Sequence, residues 1–236
     1  MKNVLVGLVL LAGVVAIPAI NLFADDAPAG FESLFNGKDL TGWKGKDGFW
    51  SVQDGAITGE TKEAFKGPNT FLVWQGGEPA NFELRFKYKI IGGNSGVQYR
   101  SKVINEDAMQ CGGYQGDFEA GKKYSGILYN EQNVAGKRGI MAERGTKVTW
   151  DKDNKQHVEP LPMTSEELQQ TIKPEDWNEY VIIADGNHLV HKINGHTTVD
   201  VTDESPDALK SGILAIQVHA GPPMKVQVKD LYLKKL

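Results

Sequence analysis

Three segments of the sequence place polar side chains two positions apart, in patterns that could support chemistry. The pairs are Gln98 with Arg100, Gln115 with Asp117, and Gln217 with His219. Successive side chains of a β-strand point to opposite faces, so each pair shares one face and its neighbours take the other. The pairs offer a carboxylate, a cation, an imidazole and amides, which are groups that move protons and stabilise charge. If the three strands are neighbours, we expect one polar patch on the outside of a sheet.

An ordinary solvent-facing surface is the alternative interpretation of these polar residues. The segment 82–90 shows what such a surface looks like here, since it reads FELRFKYKI and alternates apolar residues with Glu, Arg and Lys. The three pairs instead carry Gln, Asp, Arg and His, with glycines beside them. These residue types favour a hydrogen-bonding site for a ligand.

Short strands separated by turns must position these pairs. The alternation in segment 82–90 predicts a strand with one buried face, and Asp54-Gly55 and Asn194-Gly195 are typical of hairpin turns. Thr164 and Glu167 form a capping-box pattern that predicts one short helix. We count about a dozen strands, with turn signals roughly every eight to twelve residues. The pattern predicts an all-β fold, an antiparallel β-sandwich or jelly roll, with one short helix.

Residues 1–24 have the order of a secretory signal peptide, with Lys2, an apolar run over 4–20 and Ala24 as the cleavage residue. Residues 25–30 are expected to be a linker, and residues 31–236 a single domain. The run is short for a membrane span, which needs about 20 apolar residues, so an uncleaved anchor is the less favoured alternative. We expect a periplasmic or secreted protein with no stable membrane insertion after cleavage.

The composition excludes several classes of protein. The chain has 26 basic and 30 acidic residues and no basic run, which argues against nucleic acid as a partner. Cys111 is the only cysteine, and without a neighbouring His or Lys to activate it, an inert thiol is favoured over a nucleophile. No histidine pair has a metal-ligand spacing together with a carboxylate. Four histidines are interpreted as surface residues in loops or turns: His157, His188, His191 and His196.

Several motifs occur in an order and spacing that cover nearly all of residues 31–236. They are LFNGKDLTGW at 34–43, WSVQDGAI at 50–57, NFELRFKY at 81–88, NSGVQYR at 94–100, WN at 177–178, ING at 193–195 and GILAIQVH at 212–219. These motifs resemble an exported bacterial family once called DUF1080 and now described as the 3-keto-disaccharide hydrolase domain family. The resemblance implies a concanavalin-like jelly roll, a ligand site on its concave sheet, and action on sugars oxidised at C3.

The sequence departs from the family pattern at one place in the predicted site. Many members read Gly-Tyr-Glu-x-Gln where this chain has Gly113-Tyr114-Gln115-Gly116-Asp117. The carboxylate is displaced by two residues and therefore stays on the same face of the strand. The segments 124–131 and 138–141 resemble a subgroup with Gln-x-Asp at this place, so the departure bears on the base and the substrate rather than on the location of the site.

The implied substrate is a small carbohydrate, a 3-keto-glycoside or 3-keto-disaccharide. A ketone at C3 acidifies the proton on C2, so a carboxylate can remove that proton while a cation stabilises the enolate and an acid assists departure of the C1 substituent. We assign Asp117 as the base, Arg100 as the enolate stabiliser and His219 as the acid or second base, with Glu143 as the rival base. The residues expected to bind substrate are Asn94, Gln98, Gln115, Tyr129, Glu131, Arg138, Glu143 and Gln217.

The sequence is also compatible with alternative functions. Direct hydrolysis would use two carboxylates about 5 or 6.5–9.5 Å apart, such as Asp117 with Glu131 or Glu143. A non-catalytic carbohydrate-binding (lectin-like) module would usually present aromatic platforms, whereas charged and amide groups lead here. A purely structural envelope domain would need an exposed apolar or repeat surface, which the sequence lacks. A divalent metal ion that assists the keto–enolate step is left open as a cofactor, although no ligand spacing demands one.

Overall fold

The computed structural model describes residues 27–236, which form two β-sheets packed face to face. The signal-peptide prediction and the start of the predicted linker lie outside the described residues. The strands are β1 (Glu32–Ser33), β2 (Trp43–Lys44), β3 (Trp50–Gln53), β4 (Ala56–Thr61), β5 (Thr70–Trp74), β6 (Phe82–Ile91), β7 (Asn94–Asn105), β8 (Gln110–Glu119), β9 (Leu128–Glu131), β10 (Ile140–Ala142), β11 (Thr146–Trp150), β12 (Gln156–Pro160), β13 (Asn178–Asp185), β14 (His188–Ile193), β15 (His196–Asp203), β16 (Ile213–Val218) and β17 (Met224–Lys235), and the helix of the described region is α1 (Ser165–Thr171).

Each sheet has a strand order that crosses the sequence. The larger sheet runs β12-β11-β15-β14-β13-β6-β17-β4-β3, with β1 added beside β17, and the seven-stranded sheet runs β10-β9-β8-β7-β16-β5-β2. The pairings are antiparallel except for that of β11 with β15. The prediction of an all-β antiparallel sandwich is therefore confirmed. The order β8-β7-β16 also makes neighbours of the three strands that carry the polar pairs.

The space between the sheets is filled by aromatic and aliphatic side chains from the apolar faces of the strands. From the seven-stranded sheet come Val97, Tyr99, Tyr114 and Phe118, all at most 2% exposed. Phe118 stacks on Tyr88 of the other sheet with ring centroids 4.2 Å apart, a contact type that adds about 0.5–1.5 kcal/mol to the burial term. This packing fixes the pleat of β7 and β8 and so directs their alternate residues to the outer face.

His191 is a core residue, which corrects its interpretation as a surface histidine. It is 0% exposed on β14, with its Nε2 2.9 Å from the hydroxyl of Tyr99 and its Nδ1 3.1 Å from the hydroxyl of Tyr180. Burial lowers the pKa of His191 to about 3, so the ring is neutral and bridges two tyrosines. The assignment to a loop or turn was wrong because His191 lies within β14, where alternation places it on the same face as Leu189 and Ile193, which are also buried.

A second apolar cluster covers part of the outer face of the seven-stranded sheet. It consists of Phe71, Val73, Met109, Cys111 and Ala215. The connection between β7 and β8 folds over β5, where the Phe71 amide donates to the Met109 carbonyl at 2.9 Å. Burial raises the pKa of the Cys111 thiol to about 12, which is consistent with an inert cysteine. The remaining outer face, over β7, β8, β9 and β16, is polar.

The predicted helix and its cap are confirmed. The Thr164 hydroxyl accepts from the Glu167 amide, and the Glu167 carboxylate accepts from the Thr164 amide at 2.8 Å. Leu168 is the buried residue of the helix. The segment before it contains the exposed edge strand β12. No helix within residues 27–236 is long and apolar enough to span a membrane.

Candidate functional site

A cleft of about 470 Å³ lies over the polar part of the outer face of the seven-stranded sheet. Seven of the residues singled out in the sequence line it: Asn94, Gln115, Asp117, Tyr129, Glu131, Gln217 and His219. Two other clefts are larger, at about 600 and 620 Å³. The smaller cleft is the candidate site because it contains buried carboxylates and amides, and such groups are costly to bury unless they have a function.

Strand register brings these side chains together. Gln98 pairs with Gln115 across β7 and β8, and Gly96 pairs with Asp117. On the far side of β8, Gln115 pairs with Tyr129. Gly96 leaves room for the Gln115 side chain, because a Cβ atom on Gly96 would lie 2.6 Å from Gln115 Cγ. The glycine beside the polar pair therefore permits the amide to reach across the strand.

Three buried glutamines form a directed chain of hydrogen bonds that ends at Asp117. Gln98 Nε2 donates to Gln115 Oε1 at 2.8 Å, and Gln115 Nε2 donates to Asp117 Oδ1 at 2.8 Å. Gln115 Nε2 also lies 3.4 Å from Gln217 Oε1. Among the described residues, neither Gln217 Nε2 nor Gln98 Oε1 has a hydrogen-bond partner, although both are buried. A buried amide N–H2 without an acceptor costs about 1–3 kcal/mol, so a function at Gln217 is expected.

Asp117 is the most perturbed carboxyl group of the cleft. It is 6% exposed, and its burial raises its pKa well above the ordinary value. Hydrogen bonds from Gln115 and Asn94 oppose this rise, while the charge of Glu131 adds to it. When it is ionised, a carboxylate with a raised pKa binds a proton more readily than an exposed carboxylate does. Asp117 is therefore suited to proton removal.

One asparagine of the cleft contacts both Glu131 and the residue that follows His219. Asn69 Nδ2 donates to Glu131 Oε1 at 3.3 Å, and Asn69 Oδ1 accepts from the Ala220 amide at 2.9 Å. His219 Nδ1 donates to the Ala220 carbonyl, because a carbonyl oxygen can only accept. The Nε2 atom of the neutral His219 ring is then free to accept a proton, and that of the charged ring to donate one.

Tyr129 adds a phenol to the same cleft. Burial, followed by the charges of Glu131 and Asp117, raises the pKa of Tyr129. The hydroxyl is therefore protonated at neutral pH and can donate or accept a hydrogen bond. Tyr129 is a second proton donor that sequence reasoning had placed only among the substrate-binding residues.

Arg100 does not lie in the cleft, which corrects its assignment as enolate stabiliser. Its guanidinium donates to the carbonyls of Ala80, Gly186 and Leu209 at 2.7–3.0 Å. The backbone explains the difference, since Arg100 has a φ of 47° and the β7–β8 register shifts between Tyr99 and Lys102. Period two therefore fails at this residue, and Arg100 ties together three loops.

Three further predicted residues also lie outside the cleft lining. Gln98 is 0% exposed and contacts Gln115 rather than the open cleft, so it is a support and not a substrate contact. Arg138 forms a buried ion pair with Asp203 at 3.0 Å. Glu143 is exposed, which removes it as the rival base in this cleft.

Five residues of the cleft lining were not predicted from the sequence: Asn69, Glu119, Tyr124, Ile127 and Ile140. Asn69 comes from the β4–β5 loop, and no local pattern marks it. Glu119 follows Asp117 by two residues, and the same period-two rule points to it. Its carboxylate accepts from the Lys123 and Tyr124 amides and so shapes the loop that carries Tyr124.

The metal prediction stays open. Within residues 27–236, no group of three or more His, Cys, Asp or Glu side chains is arranged to hold a metal ion. Asp117, Glu131 and His219 nevertheless share the cleft.

The fold agrees with the comparisons with known proteins. The chain belongs to the family described as the 3-keto-alpha-glucoside-1,2-lyase-like domain, which matches residues 30–234. The resemblance seen in the sequence motifs is therefore confirmed. A curated relative from Bacteroides thetaiotaomicron, named 3-keto-disaccharide hydrolase, is 26% identical over 185 residues. That match covers 72% of this chain and 58% of the relative, so the chain spans little more than half of the relative's length.

Two solved structures share the sandwich architecture. One is a candidate glycosyl hydrolase from Parabacteroides distasonis, with 21% identity, a TM-score of 0.54, and coverage of 88% of this chain and 94% of that chain. The other is the carbohydrate binding module CBM66 from Bacillus subtilis, with 14% identity, a TM-score of 0.55, and coverage of 84% and 98%. At these identities the likeness establishes a shared fold and nothing about activity.

Proposed function

We propose that this protein is a carbohydrate-active enzyme that cleaves glycosides of sugars carrying a ketone at C3. The observation that carries the proposal is Asp117, a buried carboxyl group with a raised pKa in a cleft that also contains His219 and Tyr129. Family membership supports the substrate class. A buried carboxyl group with a raised pKa beside groups that can donate a proton favours a catalytic site over one that only binds sugar.

In the proposed reaction, Asp117 removes the proton from C2 and the electrons of that C–H bond form the enolate, with negative charge on the C3 oxygen. The enolate then collapses to form a C1–C2 double bond, and the bond from C1 to the leaving oxygen breaks. His219 or Tyr129 supplies the proton that the leaving oxygen takes up. Water finally adds its hydroxyl to C1 and its proton to C2, which restores the sugar.

Direct hydrolysis is the second candidate, because Asp117 and Glu131 share the cleft and could flank a glycosidic bond. That reaction needs no ketone and does not exchange the C2 proton with solvent. A binding module would retain sugar without cleaving it. The three functions therefore differ in what a keto substrate and its unoxidised analogue undergo.

The deciding experiment follows aglycone release from a 3-keto-glucoside and from the matching glucoside, with C2 proton exchange measured in heavy water. We expect cleavage and exchange with the keto substrate only. Asp117→Asn should lower both rates by about 10²–10⁴-fold, the usual effect of losing a general base. Glu143→Gln, at an exposed carboxylate outside the cleft, is the control that should leave both rates unchanged. Absence of keto cleavage would refute the proposal, and cleavage of the glucoside alone would favour direct hydrolysis.

The proposed location is the periplasm or the outside of the cell, and the support for it is the order of residues 1–24. The protein recovered from an exporting host should begin at Asp25. N-terminal sequencing checks this, and a recovered protein that begins at Met1 would indicate an uncleaved anchor.

A further inference from the structure

We infer that the carboxamide of Gln217 is the group that stabilises the enolate, and that Gln98 and Gln115 are positioning residues that keep its N–H2 directed to the substrate. The inference rests on the proposed function and names the residue that takes the role first predicted for Arg100. Among the described residues, the lining of the cleft lacks an Arg or Lys side chain that could stabilise the enolate, while Asp117, Glu119 and Glu131 bring negative charge.

Most hydrogen-bond donors of the cleft already have acceptors. Asn69 Nδ2 is held by Glu131, and the Asn94 side chain hydrogen-bonds Asp117. Gln217 Nε2 is different, because it is buried and has no acceptor within residues 27–236. Gln217 as a whole is 0% exposed and lines the cleft. The two N–H bonds of this amide therefore lack an acceptor among the described residues, at a residue that lines the cleft.

The orientation of this amide follows from the chain of glutamines. An ionised Asp117 can only accept, so Gln115 must present its nitrogen to it. The same nitrogen faces Gln217, which must therefore present its oxygen to Gln115. Gln98 closes the other end by donating to Gln115 Oε1 at 2.8 Å. Rotation of any one amide would set two donors or two acceptors against each other, so the Gln217 amide is fixed with its oxygen toward Gln115 and its nitrogen without an acceptor among the described residues.

Asp117 and Gln217 are also neighbours, because both contact the same Gln115 amide group. Asp117 Oδ1 and Gln217 Oε1 lie 2.8 and 3.4 Å from the same Gln115 nitrogen. In a 3-keto sugar, the acidic proton and the ketone oxygen are on adjacent carbons. In the inferred complex, these two atoms of the ring lie against Asp117 and Gln217, which line the same cleft. A fixed amide donor favours the enolate oxygen over the ketone, because the negative charge develops as the proton leaves.

The test compares Gln217→Met, which keeps side-chain length and removes the donors, with Gln227→Met as a matched control. Gln227 is also a buried glutamine, but it lies on β17 of the other sheet and donates to Thr58. With the 3-keto-glucoside, Gln217→Met should lower kcat and the C2 exchange rate by about 10²–10³-fold, the effect of losing one oxyanion donor, with a much smaller change in KM. The control should leave both rates unchanged.

The pH–rate profile tests the positioning residues separately. Gln98→Met frees the Gln115 amide, which weakens its bond to Asp117, and this bond lowers the pKa of Asp117. The acid limb of the pH–rate profile should therefore move to higher pH in Gln98→Met and stay in place in Gln227→Met. The other titratable groups of the cleft, Glu119, Tyr124, Tyr129, Glu131 and His219, are the same in both variants.

The outcomes are distinguishable. A wild-type enzyme that does not cleave the keto substrate refutes the proposed function and this inference together. Active wild-type enzyme with a Gln217→Met variant that is folded and equally fast overturns the inference alone, as does a change confined to KM. Gln217→Glu provides the second variant should the methionine side chain fail to pack. Its carboxylate would face the developing enolate and should slow exchange at neutral pH at least as much.

Discussion

Replacing Arg138 by methionine tests whether this arginine supports the fold or binds substrate. Its Nη1 atom lies 3.0 and 3.1 Å from the two carboxylate oxygens of Asp203, and the side chains of the pair are 4% and 1% exposed. The variant leaves Asp203 buried without its counter-charge, with hydrogen bonds from Tyr114 and Ser205 remaining. Loss of one partner of such a pair costs about 3–5 kcal/mol. For a domain of this size, Tm should fall by roughly 6–20 °C.

The assay is thermal and denaturant unfolding of the wild type and the variant at neutral pH. Lys155→Met is the matched control, since Lys155 pairs with Asp153 at 3.9 Å on the surface, with side chains 72% and 78% exposed. Its unfolding free energy should change by less than about 1 kcal/mol. Folded Arg138→Met should keep the keto-substrate KM. An Arg138 variant with unchanged stability and a raised KM would refute the structural role and restore the substrate contact predicted from the sequence.

Three more predictions follow from the cleft and its surroundings. Glu131 raises the pKa of Asp117, so Glu131→Gln should move the acid limb of the pH–rate profile for C2 proton exchange to lower pH, and a move upward would contradict the assignment of the base. The folded-state pKa of Asp117 is raised, so its contribution to stability is present at acid pH and lost as pH rises through that pKa. Asp117→Asn should therefore be more stable than the wild type near pH 7 and lose this advantage below about pH 4, the ordinary pKa of an Asp side chain. Denaturant unfolding of both proteins across this pH range measures the effect, and a difference in unfolding free energy that does not change with pH would contradict it. Arg100→Met should lower Tm because three loop carbonyls lose their donor, while the KM of the folded variant stays unchanged; a raised KM with unchanged Tm would place Arg100 in the site after all.

Asp117 connects stability and function in this protein. Its burial disfavours the charged form, and the surrounding hydrogen bonds from Gln115 and Asn94 only partly offset that cost. The buried and unpartnered nitrogen of Gln217 is a second local cost. Both lie on strands whose opposite faces pack into the core, with Tyr114 and Phe118 from β8 and Leu214 and Ile216 from β16. A well-packed core is what allows such a site to persist.

The sequence alone determined the architecture and the strands that carry the cleft. Alternation of apolar and polar residues is a local property, and it predicted the outward direction of Gln115, Asp117 and Gln217 because each lies in regular extended backbone. Turn and cap signals are local too, and the capping box at Thr164 appears as predicted. The family motifs added the expectation of a sugar substrate, which no periodicity could supply.

Only the tertiary structure decided which of the predicted residues meet. Arg100 follows the same period-two rule as Gln98, yet a positive φ and a register shift turn it to three loop carbonyls. Asn69 lines the cleft from a loop that is distant in the sequence. Arg138 instead forms an ion pair with Asp203, which is 65 residues away in the sequence. Register, bulges and long-range partners depend on how strands pair, and that choice minimises the free energy of the whole sandwich rather than of any one segment.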